Sequence, residues 1–305
     1  MKTLTYLLLI CVSYFFSNNA FGQNGHFHSL EEALKTPDEV LHLDLNNQNL
    51  TVFPVEVIQF KNLKTLHLDG NQLTELPQSI QEIQSLESLT LGSNPLSEFP
   101  LVVTQLKNLR FLSLSHSPIN CLPMALKRLK KLEWINLWYT SFSCIPNVVF
   151  KLKNLKKITA AYAKIETISP KIKKLKKLEV LELEDNALVL IPEALVHLPQ
   201  LKELNLSYNK IQVFPNALAD LENLEVLNLS HNKLTALPYS FCNWIGQISV
   251  DLSNNQLTDL PQGCGLDHFL SHPLILKGNA FSDEKKAAFK AYYKTSVGAE
   301  KLVLD

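Results

Sequence analysis

The chain has 305 residues, 46% of them hydrophobic, with 29 basic and 29 acidic side chains. Zero net charge excludes the basic excess of a general nucleic-acid binder, and the apolar content excludes an intrinsically disordered chain. The length suits one large core or an array of small units that share one.

Residues 1–22, "MKTLTYLLLICVSYFFSNNAFG", combine a basic start, an apolar run from Leu4 to Phe16 and a small-residue exit before Gln23. That is the layout of a cleaved secretory signal. The run falls short of the roughly 20 apolar residues needed to cross a bilayer. Cys11 raises lipidation as an alternative, opposed by the bulky Ile10 that precedes it. The expected destination is secreted, periplasmic or cell-surface. Removal of Lys2 leaves 28 basic against 29 acidic groups. Residues 23–39 read as an N-terminal helical cap, with Ser29 and Glu32 spaced as a capping box and Pro37 as its stop.

From Val40 the chain repeats itself. Units begin at Val40, Leu63, Leu86, Leu109, Leu132, Leu155, Leu178, Leu201, Leu224 and Gln247, each 23 residues after the last, and a partial unit begins one residue late at Ser271. Such a period specifies a solenoid. In the unit at Leu63, "LKTLHLDGNQLTELPQSIQEIQS", Leu66 and Leu68 alternate with Thr65, His67 and Asp69. A short strand there turns its leucines inward, and only stacked neighbours can bury them. The following Leu-Pro step ends ladder pairing and turns the chain outward. Residues 282–305 close the array, with Ser282 capping an amphipathic helix that places Phe289 and Tyr293 on one face.

The pattern "LxxLxLxxNxLxxLPxxIxxLxx" resembles the leucine-rich repeat family, in its 23-residue Leu-Pro class, over residues 40–281. The resemblance implies an α/β solenoid: a curved horseshoe with a concave parallel sheet, short helical or irregular convex segments, and a role in binding other macromolecules. It also implies that the ninth residue, usually Asn, bonds backbone groups of adjacent turns. Three consecutive units depart from Asn, at Ser117, Thr140 and Ala163.

The same units turn aromatic. Outward positions there hold Phe111, His116, Trp134, Trp138, Tyr139 and Tyr162, where others place Asp69, Gly70, Gly92 or Ser93. Register stacks Trp134 beside Phe111, and Tyr139 between His116 and Tyr162. Exposed clustered aromatics anchor partners, since they bury much area at little rotamer cost. Asp69, Asn136 and Glu182 are the candidate polar rim. The competing explanation is repacking over an under-filled unit, with Ala160 in a leucine position and Phe142 supplying volume. Docking of a protein or glycan ligand is the reading taken forward.

Two further features carry alternatives. Residues 127–177 hold a run of basic residues from Lys127 and Arg128 to Lys177, opposed only by Glu133 and Glu166. They either form a solvated convex face or bind anionic surface polymers in an envelope-associated structural or adhesion protein. Cys121 and Cys144 share a repeat position in adjacent units, whereas Cys242 and Cys264 fall one position out of register, which favours the disulfides Cys121–Cys144 and Cys242–Cys264 over reduced thiols. No nucleophile elbow, phosphate loop or zinc spacing occurs, so no enzyme, cofactor or nucleic-acid partner is expected. "SHS" at Ser115–Ser117 lacks a placed acid, and His42, Asp44, His67 and Asp69 lack a third ligand set for a metal. Sequons at Asn49, Asn205 and Asn228 follow from the repeat consensus itself.

Overall fold

The structure is a computed structural model that describes residues 25–245, 247–262, 272–293 and 302–304. The signal segment, Cys11 and Cys264 lie outside the described residues, as does much of the region read as a C-terminal cap. Among the described residues, thirteen short strands form one open parallel sheet whose spatial order equals their chain order. They run from His26–Phe27, through three-residue strands between His42–Asp44 and Ser249–Asp251, to Leu274–Ile275 and Leu302–Val303.

Register reproduces the repeat. Thr65 pairs with Ser88, Ser88 with Phe111, Phe111 with Trp134 and Trp134 with Lys157, each a step of 23 residues. The step between the last units lengthens by one, Val250 pairing with Leu274, which accommodates the late start at Ser271. At about 4.8 Å per strand the sheet extends on the order of 60 Å.

Within each turn the fourth and sixth residues are fully buried, as at Leu66 and Leu68, Leu89 and Leu91, or Leu181 and Leu183. The Leu-Pro step then directs the chain to the convex side. Pro54, Pro77, Pro100, Pro123, Pro192, Pro215 and Pro238 sit at the N-caps of 3₁₀ segments with φ between −66° and −73°, the value the proline ring imposes. The residue after each segment donates its N–H three positions back, as Phe60 does to Val57, so the chain re-enters the next strand within one turn.

The ends differ from two helical caps. Ser29 does accept the Glu32 amide, at 3.4 Å, but its helix is only Leu30–Ala33, and Pro37 opens a second turn, Pro37–Glu39, rather than stopping a longer helix. A strand precedes it, His26–Phe27, and pairs with the first repeat. At the other end Ser282 accepts the Lys285 amide at 3.2 Å before the helix Asp283–Tyr293, and Phe289 packs edge-on against Phe281, 5.4 Å between centroids. The strand Leu302–Val303 follows that helix and extends the sheet. Strands at both margins supply backbone partners that a helix alone would not.

Candidate functional site

Asn71, Asn94, Asn186, Asn209, Asn232, Asn255 and Asn279 form the ladder expected of the ninth position. Asn94 is representative: its Nδ2 donates to the carbonyls of Leu68 and Leu91 at 2.8 and 3.1 Å, and its Oδ1 accepts from Leu73 N–H at 3.0 Å. In the middle units the ladder is replaced. The Ser117 hydroxyl accepts only from the Ile119 N–H, and Thr140 donates to the Leu137 carbonyl. Ala163 offers no side-chain bond. Lys164 donates its N–H to the Phe142 carbonyl, as the equivalent residues Gln72, Ala187 and Lys210 do in turns that keep Asn, while Glu166 adds a bond to the Ser143 carbonyl and Cys144 bridges Thr167. Phe142 is buried in the core beside this under-filled unit.

One residue earlier lies a second ladder. The eighth positions Ser93, His116, Tyr139, Tyr162, Asp185, Tyr208, His231 and Asn254 all have φ between 49° and 55°. This left-handed conformation places one side chain per turn along the rim of the open face, just beyond the strands. It suits Gly, Asn and Asp, whereas a bulky side chain there is strained by on the order of 1 kcal/mol. Five of the eight are nevertheless aromatic or His. His116 stacks on Tyr139 at 4.5 Å and 24°, and Tyr139 on Tyr162 at 6.4 Å and 30°. Tyr208 stacks on His231 at 4.0 Å and 10°. Tyr139 is 56% exposed, Tyr208 45% and Tyr162 38%.

Trp138 stands behind this ribbon, edge-on to His116 at 4.5 Å and to Tyr162 at 5.7 Å. Its Nε1–H is buried without an acceptor. Asn136 holds that tryptophan in place, accepting the Trp138 N–H at 3.0 Å and donating to Ser113 Oγ at 3.2 Å.

The structure therefore divides the residues singled out from sequence. His116, Tyr139 and Tyr162 are exposed and adjacent. Trp134 is not the exposed anchor expected of it: at 8% exposure it lies against Phe111 (4.4 Å) and beneath the Lys157 ammonium (4.9 Å), and its Nε1–H donates to Thr159 Oγ1 at 3.2 Å. The large rings on consecutive strands fill each other's exposed sides, so repacking is the correct reading for the Phe111–Trp134 pair. Glu182 is equally occupied, accepting from Lys157 Nζ and Thr159 Oγ1, both at 2.9 Å. Asp69 turns inward to accept the Gly92 N–H, and burial, its largest influence, holds its carboxyl above the ordinary range. Tyr208 and His231 were passed over in the sequence, although counting 23 and 46 residues on from Asp185 finds them.

Acidic groups continue the rim. Glu184 accepts from Asn205 Nδ2 at 3.2 Å and from the Tyr162 hydroxyl at 3.4 Å, and burial chiefly raises its pKa. Burial likewise raises Glu203.

The expected Cys121–Cys144 disulfide is absent. Both thiols are free and exposed, on either side of a shallow groove lined by Asn120, Ser141 and Pro146. The turn carrying Cys144 forms a parallel bridge with Thr167 of the next unit. Cys242 is disulfide-bonded; Cys264, its candidate partner, lies outside the described residues. No group of three His, Cys, Asp or Glu side chains with metal-binding geometry exists among the described residues; His42 instead stacks on His26 at 4.1 Å.

Family models described as leucine rich repeat match residues 39–96 and 178–234, and one described as leucine-rich repeat region matches 102–203. A solved leucine-rich repeat protein of Leptospira interrogans is 29% identical, with a TM-score of 0.73, over 88% of this chain and 72% of that one. The leucine-rich repeat ectodomain of the Arabidopsis thaliana membrane receptor kinase GASSHO1/SCHENGEN3, in complex with CASPARIAN STRIP INTEGRITY FACTOR 2, is 25% identical, with a TM-score of 0.67 over 91% of this chain. The plant peptide hormone receptor RGFR1 in complex with RGF2 is 28% identical, with a TM-score of 0.60 over 76%. This chain spans 35% and 39% of those two receptors. Among curated proteins none matches.

Proposed function

The chain belongs to the leucine-rich repeat family, and on that premise we propose that it is an exported, non-catalytic module that binds a protein partner along the aromatic ribbon. One observation carries the reading: bulky aromatic residues occupy consecutive left-handed rungs, exposed, where Asn47 and Asn254 show that a strain-tolerant residue also fits. Strain kept at the surface without core burial needs a return outside the folded chain, and a docked partner supplies it. Relatives of the same fold in complex with peptide hormone or integrity-factor partners support a protein ligand over a glycan.

The test compares capture of partners from secreted and envelope material by wild type and by Tyr139→Asn/Tyr162→Asn. Asn keeps the left-handed backbone content, so loss of a partner reports the rings and not the fold. Equal capture by both proteins would sink the reading.

A second reading, adhesion of the convex side to anionic polymers, rests on Lys153. Its pKa is lowered chiefly by burial and then by the neighbouring charges of Lys174, Lys151 and Lys176, which crowd together around it. On that reading capture fails when Lys173 and Lys174 become Ala and survives the tyrosine changes.

A further inference from the structure

The aromatic ribbon is interrupted once. Tyr162, Asp185 and Tyr208 are successive rungs of the left-handed ladder, so each is about 4.8 Å from the next and the two tyrosines stand about 10 Å apart. Wherever aromatic rungs are adjacent their rings touch, at 4.0 to 6.4 Å. Across the gap no ring contact exists among the described residues. Asp185 fills that rung, exposed, and its carboxylate makes no hydrogen bond and no ion pair among the described residues. Its acidic neighbours are committed elsewhere: Glu182 to Lys157 and Thr159, Glu184 to Tyr162 and Asn205.

We propose that this interruption is a socket for one cationic side chain, an arginine or lysine projecting from an extended segment of the protein partner, its charge on Asp185 and its flanks against Tyr162 and Tyr208. The inference rests on the protein-binding reading above and adds the chemistry of the ligand. Three features support it. The midpoint of two rings about 10 Å apart is about 5 Å from each, inside the roughly 6 Å over which a cation is attracted to an aromatic face. The gap admits one planar guanidinium and not two, so the site counts its ligand, and arginine, which stacks, suits it better than lysine. The ladder from His116 to His231 covers five steps, about 24 Å, the length of roughly seven residues of extended chain at 3.4 Å each. A peptide laid along the ribbon thus meets aromatic rungs on both sides of a single acidic one.

A random dodecapeptide display library, selected on the full chain as wild type, Asp185→Asn and Tyr139→Asn/Tyr162→Asn, tests this. Asn occupies the same rung at positions 47 and 254, so the Asp185 variant retains the backbone the ladder requires. Wild type is expected to enrich peptides with Arg or Lys at one aligned position, and Asp185→Asn to reduce their recovery about tenfold, the loss of one partly exposed ion pair held between aromatic flanks. Enriched peptides without an aligned basic residue, or equal recovery on Asp185→Asn, overturn the socket. If such peptides still disappear with the tyrosine variant, the protein-binding ribbon stands without it. No enrichment on wild type, or enrichment indifferent to every variant, overturns both.

Discussion

Two aromatic residues five positions apart have opposite roles, and substitution separates them. Trp134 is enclosed by Phe111, Lys157 and Thr159, so Trp134→Ala removes packed volume and is expected to cost about 3 kcal/mol. Tyr139→Asn removes an exposed ring from a left-handed residue and is expected to change stability by less than about 0.5 kcal/mol, on the stabilising side. Chemical denaturation of both variants checks the pair; a large loss for Tyr139→Asn would make the ribbon structural. Glu184 supplies a third residue-scale test. Burial raises its folded pKa above the ordinary 4.5, so the folded state binds its proton more tightly than the unfolded state does. Stability from this group is therefore fullest below the unfolded pKa and declines as pH rises through that value toward the raised one. Glu184→Gln should flatten this decline, and thermal midpoints measured from pH 4 upward would reveal it. Glu133 runs the other way: burial opposes ionisation there, but Lys156 and Arg110 prevail and lower its pKa.

At the scale of a repeat, the interrupted Asn ladder is the informative element. Ala163 leaves the fifth and sixth turns joined by the backbone pairs of Lys164 and Glu166 and by the Cys144–Thr167 bridge. Ala163→Asn is expected to restore the carbonyl and amide bonds made by Asn94 and Asn186, adding about 1 kcal/mol and raising the thermal midpoint by about 2–4 °C. A lower midpoint would mean that the local backbone pairing is incompatible with the side chain. The neighbouring thiols belong to the same distortion. Cys121 and Cys144, both exposed and free, should react with a maleimide in the native protein, and full protection of both under non-reducing conditions would show that they pair. Repeat arithmetic placed the two cysteines at equivalent positions, and a disulfide seemed to follow. It does not: equivalence along the chain sets the two residues one turn apart, and both thiols stay free and exposed.

Across the whole molecule, the solenoid separates two surfaces of unlike chemistry. The rim joins aromatic rungs to acids, while the convex turns from Lys127 to Lys177 carry cations. These surfaces respond differently to salt. Binding through the ribbon buries rings around a single ion pair and should weaken by no more than about tenfold between about 0.05 and 0.5 M salt, whereas adhesion through the many lysines falls far more steeply, since screening lengths shrink from above to below about 10 Å over that range. Affinity for a captured partner measured across the range assigns it to one surface or the other.

The solenoid itself was legible because each of its requirements is local and repeats. A period of 23 set the register, alternation set which leucines enter the core, and the Leu-Pro step set where each strand ends, so Thr65, Ser88, Phe111, Trp134 and Lys157 align as counting predicts. The same counting places Tyr139 between His116 and Tyr162. What counting could not decide was which side chains stay exposed after stacking. Trp134 and Tyr139 are both large, aromatic and outward in sequence terms, yet one is covered by rings and a lysine from adjacent strands while the other stands on a left-handed rung beyond the sheet. Period determines who is next to whom. Burial depends on the volumes and torsions of neighbours a full turn away, and those are fixed only when the turns are stacked.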